Sequence, residues 1–191
     1  MNIMTYCMPV SIGPPKLWAL SMFKDTKTRE LFLHDNDHDD NGDSGNKTPR
    51  KGILQLLTRD HAALVPILGK QSGRDIDKEQ ACSEAGWKWA SPPSPTDCCY
   101  CQQVIPSCSL YLQVQVVEES SEQGEQPIMM DAGDHWVVLC QVINTGEWDT
   151  ANHCIRWRTL EDDDDTPPMS PIDGIGDNAM YSGWLRQEGH L

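Results

Sequence analysis

The chain has 191 residues, enough for one domain with appendages and a sizeable core, and its 15 Lys and Arg against 29 Asp and Glu give a formal net charge of -14. That balance argues against a general binder of nucleic acid or of an anionic membrane surface. No stretch approaches the ~18 to 20 apolar residues of a membrane helix, and no basic segment followed by an apolar run opens the chain, so a soluble protein is expected. The acidity is local, concentrated in residues 34–46 (HDNDHDDNGDSGN) and 161–165 (EDDDD), which read as solvated loops. An anionic cofactor is therefore not excluded. Eight cysteines in a chain of this length call for no disulfide framework and point to a reducing compartment.

In chain order, two apolar runs, Met4 to Ile12 and Lys16 to Phe23, flank Gly13-Pro14-Pro15. Proline fixes φ and cannot donate to a ladder, so this reads as a β-hairpin with a turn at the prolines. The second run covers both of its faces and is expected to be internal. It delivers Lys24-Asp25-Thr26-Lys27-Thr28-Arg29-Glu30, cations and hydroxyls where a strand ends and a short helix begins, a place suited to an anion such as a phosphate. Ordinary solvated loop and N-cap residues are the plainer account of the same cluster.

Residues 34–48 read as an acidic disordered insertion. Asp37, Asp39, Asn41 and Gly42 match the opening of a calcium loop, but Thr48 stands where a bidentate Glu is required. A short run, Gly52 to Leu57, ends at Thr58, an N-cap for a helix from Arg59 to Leu68 that Pro66 kinks and Gly69 closes. Then comes a glycine- and cation-rich loop holding Ser72, Gly73, Arg74 and Lys78, leading into a helix over 75–85 that Gly86 stops. Residues 87–106 form a Pro/Ser/Cys-rich loop. Its Cys98, Cys99 and Cys101, with Cys108 beyond, offer one C-x-x-C. Zinc needs a second pair at ligand spacing, so no metal site is expected, and a zinc-stabilised interaction module on these cysteines is the weaker alternative. Ser109 to Val117 alternates as a half-buried strand, the polar stretch 118–126 interrupts, and 131–142 is a strand with His135 at its mouth. From Arg156 the tail reads as an acidic, Pro-rich linker to residue 176, then a helix within 177–191 that docks Met180, Trp184 and Leu185.

Several of these pieces together resemble the flavin reductase-like family, the FMN-binding split barrels. They are Asn2-x-x-Thr5 leading into Pro9-Val10-Ser11 and Pro14-Pro15, the Lys24-Asp25-Thr26-x-Thr28 loop, Ser72-Gly73-Arg74-x-x-x-Lys78, and Gly133-Asp134-His135 on a late strand. They occur in the family's order, and residues 181–189 look like the C-terminal helix of plant and algal relatives. The resemblance implies a mainly β fold with flanking helices, a six-stranded antiparallel split β-barrel over residues 1–155. It also implies a homodimer that holds FMN near the subunit interface. Carried over, Thr5 and Ser11 would lie along the isoalloxazine and ribityl chain, Lys24, Thr26 and Thr28 would hold the phosphate, and Ser72, Arg74 and Lys78 would close over that end. His135 would face the flavin or a bound nicotinamide as the catalytic residue.

The implied activity is hydride transfer from NAD(P)H to flavin in the cytoplasm or a plastid, with the flavin supplying the chemistry. A non-enzymatic FMN- or haem-binding carrier or sensor, or a degenerate member without activity, is the alternative. The family pattern calls for a strand or hairpin before Asn-x-x-Thr and the sequence begins at Met1-Asn2, so either a truncated sequence or a barrel open at its N-terminal edge is expected. The acidic insertion after the phosphate loop is the second departure.

Overall fold

The computed structural model describes residues 1–4, 6–11, 13–33, 49–90, 103–121, 124–159, 180 and 182–189. Thr5, the insertion 34–48, the cysteines 98–101, the acidic run 161–165 and the start of the expected C-terminal helix lie outside them. The architecture is mainly β and antiparallel, with few short helices. Strands β1 (Cys7–Ser11) and β2 (Leu17–Phe23) form the expected hairpin, followed by helix α1 (Lys27–Leu33). Next come β3 (Lys51–Leu56), β4 (Leu110–Val116), β5 (Glu118–Ser121), β6 (Gly124–Pro127) and β7 (Met129–Asp131), then β8 (His135–Asp149) and β9 (Cys154–Thr159). Seven of these nine strands make one sheet, β1-β2-β8-β4-β3 with β7 and β9 also on β8, where six were expected.

The 15-residue β8 is the spine of the sheet. On one edge β2 pairs with residues 141–135 and β9 with 144–149; on the other, β7 pairs with 138–136 and β4 with 146–140. The register against β4 jumps between Gln113 and Val114, so Ile143 is an extra residue on β8, and such a bulge bends and twists the strand that carries it. The expected strand over 131–142 thus takes in the end of β7, a turn and only the first half of β8.

Two apolar clusters flank β4. One holds Trp18, Leu20, Met22, Leu54, Leu112, Val114, Val138 and Cys140; the other holds Leu64, Leu68, Cys82, Val104, Tyr111 and Ile155. With a cluster on each side, β4 is buried on both faces instead of half-buried as its alternation suggested: Gln113 is only 3% exposed, and Asn144 donates to its side-chain oxygen at 2.6 Å.

The remaining differences have local causes. Pro66 splits the expected 59–68 helix into a 3-10 turn (Arg59–Leu64) and a π turn (Pro66–Lys70) that runs through Gly69. Helix α2 (Lys78–Glu84) starts later than expected because the Asp77 carboxylate caps it, accepting from the amides of Glu79 and Gln80. The polar stretch 118–126 largely folds as the exposed β5–β6 hairpin, turned at Gly124 with φ +103°. Strand β9 runs to Thr159, into the segment expected to be linker. Helix α3 (Ser182–Gln187) docks Leu185, which is buried, and the Met180 amide bonds Leu57 O at 3.1 Å. Among the described residues no helix is long and apolar enough to cross a membrane.

Candidate flavin-binding cleft

The end of β2, the start of α1, the mouth of β8 and the N-terminal segment converge on a small cleft. Its lining is Asn2, Ile3, Met4, Ser21, Met22, Phe23, Thr26, Thr28 and His135. Of the residues singled out from sequence, Thr26, Thr28 and His135 thus share one cavity, although they come from chain positions more than a hundred residues apart.

Register places His135. It pairs with Phe23 across the β2–β8 ladder, and the rings lie 3.8 Å apart, centroid to centroid. The turn before it is tight: Gly133 has φ +82°, its amide donates to the Asp131 carboxylate at 2.9 Å, and the Lys24 amide donates to Asp134 O at 3.0 Å. The His135 Nδ1–H donates to the Asp134 carboxylate, with 2.6 Å between the heavy atoms. That bond, first among the causes, holds the Asp134 carboxyl below its usual range. A carboxylate can only accept, so Nδ1 carries the proton and Nε2 is the nitrogen left for a ligand.

Thr26 is the N-cap of α1. Its hydroxyl donates to Phe23 O at 3.1 Å and accepts from the Arg29 amide at 3.3 Å. Thr28, the second residue of α1, lines the cleft. Among the described residues the side chains of Asn2, Ser21 and Thr28 make no hydrogen bond, so three polar groups face an apolar wall of Ile3, Met4, Met22 and Phe23.

The other site residues expected from sequence sit differently. Lys24 binds both oxygens of Asp131, at 2.7 and 2.8 Å, and lies over the Trp136 ring at 4.8 Å; this pairing chiefly holds the Asp131 carboxyl below its usual range. Arg74 pairs with Glu30 and donates to Asp25 O at 3.3 Å, so the Ser72–Arg74 loop does reach the Lys24–Thr28 turn. The Ser72 hydroxyl accepts from the Arg74 amide at 3.1 Å. Lys78 is buried, and its ammonium donates to Leu68 O at 2.7 Å and Met1 O at 3.2 Å while burial pushes its pKa down. It pins the N-terminal segment and does not line the cleft. Ser11 donates to Gly13 O at 3.1 Å and is likewise absent from the lining. Cys108 is buried, donating to Ile105 O at 3.3 Å, and among the described residues no cluster of His, Cys, Asp or Glu could hold a metal.

No family model matches the sequence, and no curated protein matches it. Solved structures do. The FMN-binding protein from Thermus thermophilus with bound 1-cyclohex-2-enone aligns with a TM-score of 0.51 at 15% identity, over 83% of this chain and 72% of that one. The fold is that of the FMN-binding proteins. The same bacterium's FMN-binding protein with bound p-hydroxybenzaldehyde gives 0.49 at 17% identity, over 77% of this chain and 62% of the other. The NADH:FAD oxidoreductase of Streptomyces globisporus C-1027 gives 0.49 at 12% identity, over 80% and 69%. This chain therefore spans from 62% to 72% of these proteins' lengths. Asn2, Ser21, Met22 and Phe23 escaped sequence reasoning as site residues, although the last three immediately precede the Lys24 loop; what selects them is the Phe23–His135 register, a long-range fact.

Proposed function

We propose that the cleft binds a flavin, FMN by the fold's likeness, and that the chain is an oxidoreductase passing hydride from NAD(P)H to it. The observation that carries this reading is the composition of the cleft: one apolar wall, three uncommitted polar groups and an imidazole with a free Nε2. Ligand sites are typically concavities lined mostly by apolar side chains with a few placed polar groups, and the lining of this cleft has that character. A planar ring with a polar edge matches the chemistry of that lining. Bound flavin would supply the redox chemistry, and this chain's part is to hold the ring on Phe23 and Met22 and to present His135 Nε2 to a carbonyl or ring nitrogen. The phosphate end would lie toward Thr28 and the Lys24 turn.

Steady-state oxidation of NADH and NADPH, with and without added FMN, tests it. Flavin-dependent turnover is expected, and His135→Ala should lower its rate by about tenfold or more even at saturating flavin. A folded protein that binds flavin without oxidising either nucleotide would overturn the oxidoreductase reading and leave a flavin-binding protein.

Assembly belongs to the same reading. On or beside the edge strand β1, Tyr6, Met8 and Val10 are 65%, 60% and 53% exposed, an apolar stripe suited to a second copy of this chain. Light scattering should return a dimer mass, and Met8→Lys a monomer.

A further inference from the structure

Two of the cations beside the cleft, Lys24 and Arg74, are paired with carboxylates of the same chain. Lys24 holds Asp131 through both oxygens, Arg74 holds Glu30, and both pairs frame the turn from Lys24 to Thr28. This end of the molecule carries Lys24, Lys27, Arg29 and Arg74 against Asp25, Glu30, Asp131 and Asp134, so it presents no net positive charge. A phosphate monoester arriving here meets no uncommitted Lys24 or Arg74. To reach either of these two cations it has to displace Asp131 or Glu30, and each displaced carboxylate stays tethered within a few ångströms of the new dianion. The exchange swaps one charge-assisted contact for another and adds a like-charge repulsion. The apolar wall and the Asn2 and Ser21 side chains, by contrast, are indifferent to the phosphate.

Resting on the reading that the cleft takes a flavin, we propose that Asp131 and Glu30 are specificity-determining residues that occupy Lys24 and Arg74 in place of a ligand phosphate. The site then selects flavin by its ring and ribityl chain and gains little from the phosphate. All four side chains are partly exposed, with 31% and 54% for Lys24 and Asp131 and 46% and 44% for Arg74 and Glu30, so neither pair is locked by burial and both can be tested by neutral substitution.

The test is a fluorescence titration with riboflavin and with FMN on the wild-type protein, Asp131→Asn, Glu30→Gln and the double variant. The wild type should bind the two flavins within about threefold of each other. Each single variant should tighten FMN by about threefold and the double by about tenfold, with riboflavin unchanged, the scale expected of exposed charge pairs. In ~1 M salt, where the screening length falls to about 3 Å, that gain should largely vanish. Riboflavin binding shows that each variant is folded. A wild type that prefers FMN by about a hundredfold, or a double variant that binds riboflavin normally with unchanged FMN affinity, overturns the proposal alone. If the folded wild type binds neither flavin, the flavin reading falls and this proposal with it.

Discussion

Gly146 sits where β4, β8 and β9 run side by side, opposite Tyr111 on one neighbour and Trp157 on the other. A Cβ placed there would lie 2.5 Å from Ile155 Cγ2 and 2.8 Å from Trp157 Cε3. Ordinary carbon contacts begin near 3.5 Å, so Gly146→Ala must push both side chains by roughly 1 Å. Ile155 is 2% exposed and belongs to the cluster that also holds Tyr111, so it has nowhere to go without repacking. Overpacking of this kind costs about 1 to 3 kcal/mol, and replacing a strand glycine returns about 0.5 to 1 kcal/mol. Contact with two side chains at once places the gross cost near the top of that range. The net expectation is about 2 kcal/mol, a fall in Tm of about 4 to 8 °C for a chain of this size. Urea unfolding and thermal melts read it directly. Gly13→Ala is the control, since a Cβ there has nothing within 4 Å. If Gly146→Ala melts with the wild type, the close crossing of β8 and β9 is wrong, and with it the account of β8 as the spine.

Two further outcomes follow from buried groups. His61 is fully buried: its Nδ1 lies 3.1 Å from the Thr58 amide and 2.8 Å from the Thr58 hydroxyl, and its Nε2 lies 2.9 Å from Pro106 O. His61→Ala strands the Thr58 amide and the Pro106 carbonyl and should cost about 3 kcal/mol by urea unfolding; a loss under about 1 kcal/mol would refute that network. Burial pushes the Cys108 and Cys140 thiols up to about 12. A raised thiol stays protonated in the native state while the unfolded chain ionises near pH ~8.5, so this contribution is intact below that pH and is lost as pH rises toward about 12. Native protein at pH ~8.5 should leave both thiols unalkylated, and urea-unfolded protein should lose them within minutes.

Local chemistry made part of this molecule legible. The Gly-Pro-Pro turn, the covered faces of β2 and the Thr26 cap follow from residue types at short spacing, and so does the hydroxyl-rich entry to α1. The resemblance carried by scattered motifs led to the right fold, although no one motif is long. What stayed hidden depends on partners distant in sequence. β4 alternates as a half-buried strand should, yet a second cluster built from the 59–70 turns, α2 and β9 covers its other face. The polar β5–β6 hairpin has no apolar face to betray it. At the cleft, cationic residue types suggested phosphate ligands, but sequence cannot say that Asp131, 107 positions from Lys24, would already hold that ammonium. Lys78 likewise reads as a donor to a ligand only until its bonds to Leu68 O and Met1 O are seen.

The central claim is that the space between Phe23, Met22, the N-terminal segment and His135 is a seat for a flavin ring. Quenching of riboflavin fluorescence on titration with the folded protein, beside the exposed-side variant Phe23→Asp, measures this most directly. Saturable binding at micromolar concentrations, weakened about fivefold or more in the variant, is the expected result, since a ring contact of this size is worth about 1 kcal/mol or more. No quenching at ~100 μM protein, or equal binding by wild type and Phe23→Asp, would contradict it: free energies near -5 kcal/mol lie within reach of such a titration.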